Sequence, residues 1–271
     1  MRDSHPAGDA VLWADGARYE SYVGRWSRAV AEEFVRRLAV PPGRNWLDVG
    51  CGTGALTTTI LRYAVPAHVT GVEPAGAFVA YARATISATD ADVRFLQGAA
   101  TDLPFDDGRF DATVSGLVLN FVAEPGRAAS EMARVTRPGG TVAAYVWDYA
   151  DGMQLMRHFW DAAVELDPGA RPLDEARRSP LCQPPALRAL FETAGLSDVD
   201  VMAIDVPTVF QDFDDYWTPF LGGTGPAPAY TVGLSAEQQT ALRDRIRARL
   251  PVGPDGTIKL IARAWAVHAI R

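Results

Sequence analysis

Apolar residues along the first half of the chain recur with two different spacings. Short apolar runs predict strands at 45–50, 67–73, 92–98, 110–116 and 141–147. Helical spacing between them predicts helices at 54–63, 75–88 and 125–136, the last ending at the segment 137–140. Strands that alternate with helices indicate βαβ units. We therefore predict a parallel sheet with helices on both faces, an α/β fold.

The pattern differs at both ends of this repeating region. Trp26, Val30, Phe34 and Leu38 stand four residues apart and predict one amphipathic helix, part of an N-terminal cap over residues 1–40. After Trp147 the alternation stops, and residues 151–185 are predicted to be an insertion after the fifth strand.

The remaining sheet is predicted within residues 186–271. Its expected elements are a helix at 186–194, a strand at 199–210, an aromatic Gly/Pro-rich loop at 212–230, a helix at 235–249 and a strand at 256–270. Because a long excursion joins the last two strands, we expect an antiparallel strand at this end of the sheet.

Composition narrows the class of protein. The 271 residues are 48% hydrophobic and 22% charged, which suits a single globular domain with an elaboration. A net charge of -7 and the absence of a basic stripe argue against nucleic acid as a partner. Two cysteines, no signal-peptide pattern and no apolar run of membrane-spanning length predict a soluble cytoplasmic protein without a membrane partner, either a monomer or a homodimer.

The segment "NWLDVGCGTGALT" (45–57) predicts a ligand-binding turn between the first strand and its helix. It contains three glycines, Gly50, Gly52 and Gly54. Gly50 and Gly52, with Ala55 at the third position, fit the alanine variant of the dinucleotide fingerprint, so an NAD-dependent oxidoreductase is one alternative. Asp48 argues against NAD, because its carboxylate would face the negatively charged pyrophosphate. Like charges about 4 Å apart at an effective dielectric of roughly 20 repel by on the order of 4 kcal/mol. S-adenosylmethionine carries a sulfonium and an ammonium group and no phosphate, and is favoured. Alternatively, Asp48 only caps the turn.

Glu73 ends the second strand in "GVEP", about 20 positions after the glycines. An acidic residue there is the expected acceptor for paired ribose hydroxyls, which both NAD and S-adenosylmethionine present. A helix N-terminal carboxylate before Pro74 is the competing interpretation. Asp48, the three glycines and Glu73 together favour an adenosyl ligand.

Three segments, "LDVGCGTG", "GVEP" and "LPFDDGRFDATVSGLVLNFVAEPGRAASEMARVTRPGGTVAAY", closely resemble the class I S-adenosylmethionine-dependent methyltransferases. The nearest branch is the small-molecule type related to ubiquinone and menaquinone biosynthesis, and the resemblance covers roughly residues 20–147. It implies a Rossmann-like, doubly wound sheet of seven strands, the last antiparallel, with the cofactor-binding core in residues 41–150. It also implies methyl transfer from S-adenosylmethionine to a small molecule.

The resemblance also implies the cofactor contacts. Asp48 and the three glycines would hold the methionine part, Glu73 the ribose, Pro74 would pack near the adenine, and Leu117 would lie beside the methyl donor. N-terminal segments fold over the cofactor in relatives, which implicates Tyr22, Arg25 and Trp26. The family's adenine-binding Asp is missing in Gly98-Ala99-Ala100, so the Ala100 N–H, with Thr101 or Asp102, is the expected substitute. Asn120 stands where many relatives have a histidine, and no proton transfer is assigned to it.

The acceptor side carries weaker signals. Asp148 follows the fifth strand and is a catalytic candidate, although a helix cap is an equal alternative. His158 and Trp217 are the other catalytic candidates, in segments 151–185 and 212–230, which we expect to be lids over a small, partly apolar acceptor. No metal site is predicted. A non-catalytic adenosyl-ligand-binding protein, or an adenosyl-ligand lyase, is a further alternative.

Overall fold

The computed structural model describes residues 25–86, 92–223 and 225–271, with side chains described from Trp26 onward. Tyr22 and the side chain of Arg25, both predicted to contact the cofactor, therefore lie outside the described residues. None of the helices in the described ranges is both long and apolar enough to cross a lipid bilayer.

Strands and helices alternate through the first part of the chain, as predicted. The strands are β1 (Asn45–Val49), β2 (His68–Glu73), β3 (Asp92–Gln97), β4 (Phe110–Gly116), β5 (Thr136–Trp147), β6 (Ser197–Phe210) and β7 (Ile258–Ile270). The helices of this part are α1 (Arg25–Leu38), α2 (Ala55–Tyr63), α3 (Gly76–Thr85) and α4 (Pro125–Val135). Later helices are α5 (Gln154–Leu166), α6 (Glu175–Arg178), α7 (Pro184–Thr193), α8 (Phe213–Trp217), α9 (Pro226–Val232) and α10 (Ala236–Arg249).

The seven strands form one sheet in the order β3-β2-β1-β4-β5-β7-β6. β1 pairs in parallel with β2 and β4, β2 with β3, and β4 with β5. β7 runs the other way, because the Arg271 N–H donates to Gly140 O and the Asp148 N–H donates to Arg263 O. The predicted Rossmann-like sheet with its antiparallel last strand is confirmed. Strand order reverses between β1 and β4, so the carboxyl ends of these two strands are where a ligand is expected.

Two predicted element boundaries are wrong. Residues 137–140 begin β5 instead of ending α4: Phe110 pairs with Thr136, Ala112 pairs with Thr141, and a bulge takes up the extra residues. The segment 212–230 is not an irregular loop, since it contains α8, a 3₁₀ turn at Thr218–Leu221 and α9. The side chain of Asp212 caps α8 by accepting from the Asp215 N–H.

The described residues fall into two compact units. The sheet unit comprises residues 27–146, 183–204 and 265–271. In it, Phe34 of α1 is buried and its ring lies 4.7 Å from that of Tyr145. The apolar stripe predicted for α1 therefore packs as expected.

The aromatic unit comprises Trp26 and residues 147–182 and 205–264. Most of the two predicted insertions lies here. Its buried core contains Phe159 and Phe220, whose rings stack with centroids 4.5 Å apart, together with Tyr216 and Trp217. The second unit is thus organised around packed aromatic rings.

Candidate functional site

The turn after β1 is built by glycine backbone conformations. Gly50, Gly52 and Gly54 have φ of 75°, 52° and 92°, a left-handed region in which other residues are strained. The N–H groups of Gly50 and Cys51 donate to Val72 O at 2.7 and 3.1 Å, which joins the turn to β2. α2 then begins at Ala55, so this is the predicted strand–glycine turn–helix.

The three glycines differ in the space beside them. A Cβ on Gly50 would come 2.5 Å from Val118, and one on Gly54 would come 2.1 Å from Ile86. A Cβ on Gly52 would meet nothing within 4 Å. Gly50 and Gly54 are therefore required by packing, whereas Gly52 leaves open space in which a ligand can approach the backbone.

Glu73 connects the end of β2 to the glycine turn. It is 8% exposed, and its two oxygens accept from the Gly52 N–H and the Ala75 N–H, each at 3.0 Å. Each oxygen retains a further lone pair. The carboxylate thus shapes both the turn and the start of α3, and it can still accept a hydrogen bond from a ligand hydroxyl.

Asp48 is fully buried at the end of β1. Its Oδ2 accepts from the Thr57 hydroxyl at 2.7 Å, while its Oδ1 has no hydrogen-bond partner within the described ranges. Burial raises the pKa of Asp48 to about 7; Thr57 opposes this shift and the neighbouring Glu73 carboxylate adds to it. A buried carboxylate oxygen without a hydrogen-bond donor costs free energy, and a cationic ligand that donates to it would remove that cost.

The turn after β4 lies against the glycine turn. Leu117 adopts a left-handed φ of 60°, and its N–H donates to Tyr145 O at 2.8 Å. Val118 is the side chain that would collide with a Cβ on Gly50. The amide nitrogen of Asn120 is buried without a partner in the part of the chain that the structure describes. β1 and β4 thus bring Leu117 to the same sheet edge as Asp48. Its position beside the methyl donor stays a prediction.

The residues expected near the adenine follow β3. The Gly98 N–H donates to Glu73 O at 3.2 Å, and the Gln97 amide donates to Pro74 O at 2.9 Å. Ala99 pairs with Asp102 in an antiparallel bridge that encloses Ala100 and Thr101. The structure therefore brings this segment beside Glu73 and Pro74. Its contacts with adenine stay a prediction.

Residues 47–144 match the family model described as a methyltransferase domain. A demethylmenaquinone methyltransferase of Thermus thermophilus is 30% identical over 184 residues, which are 64% of this chain and 81% of that protein. The chain belongs to the class I S-adenosylmethionine-dependent methyltransferases.

Other similarities are less extensive. A demethylmenaquinone methyltransferase of Symbiobacterium thermophilum is 38% identical over 120 residues, 43% of this chain and 47% of that protein. The chain spans about half the length of this and other curated relatives, with 47%, 59% and 43% of them covered. A phosphoethanolamine N-methyltransferase of Haemonchus contortus, solved with S-adenosyl-L-methionine, shares the fold (TM-score 0.56, 15% identity, 97% of this chain and 57% of that chain).

The catalytic candidates of this methyltransferase belong to the aromatic unit. Asp148 is 2% exposed, and its oxygens accept from the Asp151 and Gly152 N–H groups at 3.2 and 2.9 Å. These bonds close the turn after β5, and α5, the helix that follows, has no side-chain cap, so Asp148 is a turn residue and not a helix cap. His158 lies half-buried on α5 near Asp161 and Arg249, and burial lowers its pKa. Their catalytic roles stay predictions, and the contacts of Asp148 are those of a structural residue.

Trp26 and Trp217 pack within the same unit. The ring of Trp26 lies 5.2 Å from Phe210, and Trp217, 6% exposed, stacks on Phe213. The prediction for Trp217 assumed a mobile aromatic loop, and the helical packing around it contradicts that assumption. A structural role is the better supported one for this side chain.

Thr57 was missed in the sequence. It stands in the first turn of α2, where it reads as an ordinary helix residue, yet it supplies the hydrogen bond seen at Asp48. The glycine turn separates Thr57 from Asp48 in the chain, so a local sequence pattern does not reveal their hydrogen bond. A hydroxyl residue in the first turn after such a turn is the signal to look for.

Proposed function

We propose that this protein transfers the methyl group of S-adenosylmethionine to a small, partly apolar acceptor. The observation that carries the proposal is the orphaned, buried Oδ1 of Asp48 at the carboxyl end of β1. The open space at Gly52 lies in the turn that follows this strand. A buried carboxylate repels the pyrophosphate of NAD and attracts a ligand that carries positive groups.

The residues at the sheet edge suit this cofactor. Asp48 would accept from the ammonium group of the methionine part, and Gly52 lets the backbone pass close to it. Glu73 would accept from the ribose hydroxyls through lone pairs that its bonds to Gly52 and Ala75 leave free. Leu117, held in its left-handed conformation, would lie beside the methyl group.

The bound cofactor would supply an electrophilic methyl group on a sulfonium. The work of the chain is then to orient the two reactants in line and to exclude water. No general base is required unless the acceptor keeps its proton. Asp148, whose oxygens accept from the Asp151 and Gly152 N–H groups, is given no proton transfer in such a mechanism.

The acceptor class is inferred from the residues and the relatives. Two relatives are named demethylmenaquinone methyltransferases, which agrees with a small acceptor that has an apolar part. Residues 151–185 and 212–230 stay the predicted source of acceptor contacts. A cytoplasmic location and a monomeric or homodimeric state also stay predictions, which cell fractionation and light scattering would test.

Binding and turnover test the proposal separately. In titration calorimetry we expect S-adenosylmethionine and S-adenosylhomocysteine to bind and NAD not to bind. Incubation with a panel of small aromatic and quinol acceptors should convert S-adenosylmethionine into S-adenosylhomocysteine. Tight binding of NAD alone would support the oxidoreductase. Binding of the adenosyl ligands without turnover on a broad acceptor panel would favour a non-catalytic binding protein.

A further inference from the structure

The partners of Asp48 are incomplete in a way that bears on its charge. Its side chain is fully buried, and Thr57 is its donor: the hydroxyl donates to Oδ2 at 2.7 Å, and the Thr57 backbone N–H also favours the charged form. Oδ1 has no partner in the described part of the chain. An ionised carboxylate in such a place lacks the donors that normally replace its hydration, whereas a neutral carboxyl group needs far fewer.

The groups around Asp48 do not supply a positive charge. Thr57 faces it from α2, and the buried thiol of Cys51 faces it from the glycine turn. The Glu73 carboxylate acts on it from the end of β2, and it is repulsive. On β4, Val114 is its strand partner and Ser115 donates to Val49 O. Within the described ranges, Asp48 is therefore surrounded by neutral groups and one carboxylate.

We propose that Asp48 is a neutral carboxyl group in the free protein and releases its proton when the ammonium group of the cofactor binds beside Oδ1. In this step the O–H bond of Asp48 breaks, the proton passes to the buffer, and an ammonium N–H donates to the freed carboxylate. This inference rests on the proposed function. It goes further because it makes cofactor binding a proton-releasing reaction.

The physical basis is the difference between the two states of the site. Without a cation, burial and the Glu73 carboxylate both favour the protonated form, and the pKa of Asp48 rises to about 7. A cation within hydrogen-bond distance favours the ionised form and lowers that pKa. The bound and free proteins therefore hold different numbers of protons near and below neutrality.

Calorimetry with S-adenosylhomocysteine measures this difference directly. The binding enthalpy is recorded at pH 6.0 in phosphate and in bis-tris, whose ionisation enthalpies differ, and the difference gives the number of protons exchanged. We expect close to one proton released per ligand at pH 6.0, and a dissociation constant that rises by up to about tenfold for each pH unit below 7. Adenosine, which lacks the ammonium group, should release none.

One variant at Asp48 and a matched pair at Thr57 separate this from a merely structural role. Asp48→Asn should bind weakly, release no proton and lose the pH dependence. Thr57→Val removes the hydroxyl that favours the charged form, so the pH midpoint should move upward, whereas Thr57→Ser should keep the original midpoint. Thermal unfolding of each variant confirms that it is folded.

The outcomes distinguish this inference from the proposed function. S-adenosylhomocysteine that binds without proton release at pH 6.0 overturns the role of Asp48 while leaving the methyltransferase proposal intact. The same holds if Asp48→Asn releases as many protons as the parent protein. No binding of S-adenosylmethionine or S-adenosylhomocysteine between pH 6.0 and 8.5 overturns both.

Discussion

The glycine turn of the sheet unit and the aromatic cluster of the other unit are both buried, but they differ in what they leave unsatisfied. At the turn, Oδ1 of Asp48 has no partner and the space beside Gly52 is open. In the aromatic cluster, Phe159 stacks on Phe220, and the Tyr216 hydroxyl donates to Leu155 O at 2.7 Å. The aromatic unit also holds a buried carboxylate oxygen, Glu175 Oε1, without a partner in the described residues, so an unmet polar atom alone does not identify a ligand site. The difference that points to a ligand at the turn is the open space at Gly52.

Two buried aspartates at strand ends show the same contrast on a smaller scale. Asp148 follows β5 and accepts from two N–H groups of its own turn, so its charge is accommodated locally. Asp48 is the last residue but one of β1, and its Oδ1 has no partner in the described residues although Thr57 bonds its other oxygen. Both residues were candidates in the sequence because each stands at the end of a strand. Their hydrogen-bond partners are what distinguish a turn residue from a binding group.

The largest effect expected on this comparison is that of Trp217→Ala. Trp217 is 6% exposed and stacks on Phe213, so its removal should lower the free energy of unfolding by about 3–5 kcal/mol. The affinity for S-adenosylmethionine should change by less than about threefold, or roughly 0.7 kcal/mol. Urea unfolding followed by fluorescence, with calorimetric titration, measures both. Unchanged stability with lost turnover would return Trp217 to the predicted lid.

Glu73→Ala should weaken the cofactor site more than the fold. Loss of a charge-assisted hydrogen bond to the ribose should cost both S-adenosylmethionine and S-adenosylhomocysteine about 1.5–3 kcal/mol of binding. Glu73→Gln, which keeps one acceptor oxygen, should lose less. Because Glu73 also accepts from the Gly52 and Ala75 N–H groups, thermal unfolding must accompany the titration. Equal affinities in a folded Glu73→Ala protein would remove the ribose assignment.

Gly52→Ala has a matched control in Gly43→Ala. Both glycines have positive φ, 52° and 74°, and neither would bring a new Cβ within 4 Å of another residue. Each substitution should therefore cost a similar 1–2 kcal/mol or so of stability from backbone strain alone. Gly52→Ala should also weaken S-adenosylmethionine at least about tenfold, on the order of 1.4 kcal/mol, and Gly43→Ala should not. If both variants bind equally well, the space beside Gly52 is not the ligand path.

Much of the fold was accessible from the sequence because its signals are local. The spacing of apolar residues identified β1 to β4 and the helices between them within a few residues. Gly50, Gly52 and Gly54 identified the turn, since glycine adopts a left-handed backbone conformation without the strain that other residues incur. Asp48 and Glu73 followed from their places at strand ends.

Most of the structural features that the sequence did not predict depend on contacts between residues far apart in the chain. The start of β5 is determined by its pairing with β4, including a bulge near Phe110. Tyr216 bonds to Leu155, 61 residues away, and such packing turns a Gly/Pro-rich segment into short helices. The Thr57 bond to Asp48 crosses the glycine turn, and the turn contacts of Asp148 are local but depend on backbone conformation, so the residue types alone reveal neither. The hydrogen-bond partners of a candidate site residue, and not its identity, determine whether it has an acceptor oxygen left for a ligand.

The smallest expected effect is the dependence of the free energy of unfolding on pH, to which one carboxyl group in each unit contributes. Burial raises the pKa of Asp48 in the sheet unit and of Glu175 in the aromatic unit to about 7 each. Glu175 is 5% exposed and accepts from the Trp160 indole N–H. Between the carboxyl pKa of the unfolded chain and about 7, the folded protein holds protons that the unfolded chain has released.

The contribution of each group to stability is therefore complete at acid pH and is lost as pH rises through that window, by up to about 1.4 kcal/mol per pH unit for each proton. Residue 175 cannot titrate in Glu175→Gln. Between pH 5.5 and 6.5, the free energy of unfolding of the parent protein should therefore fall by roughly 1 kcal/mol more than that of Glu175→Gln. A similar difference is expected between the parent protein and Asp48→Asn in the absence of ligand. Urea unfolding at each half pH unit gives the difference. A constant difference between Glu175→Gln and the parent across this window would show that Glu175 is already ionised in the folded protein.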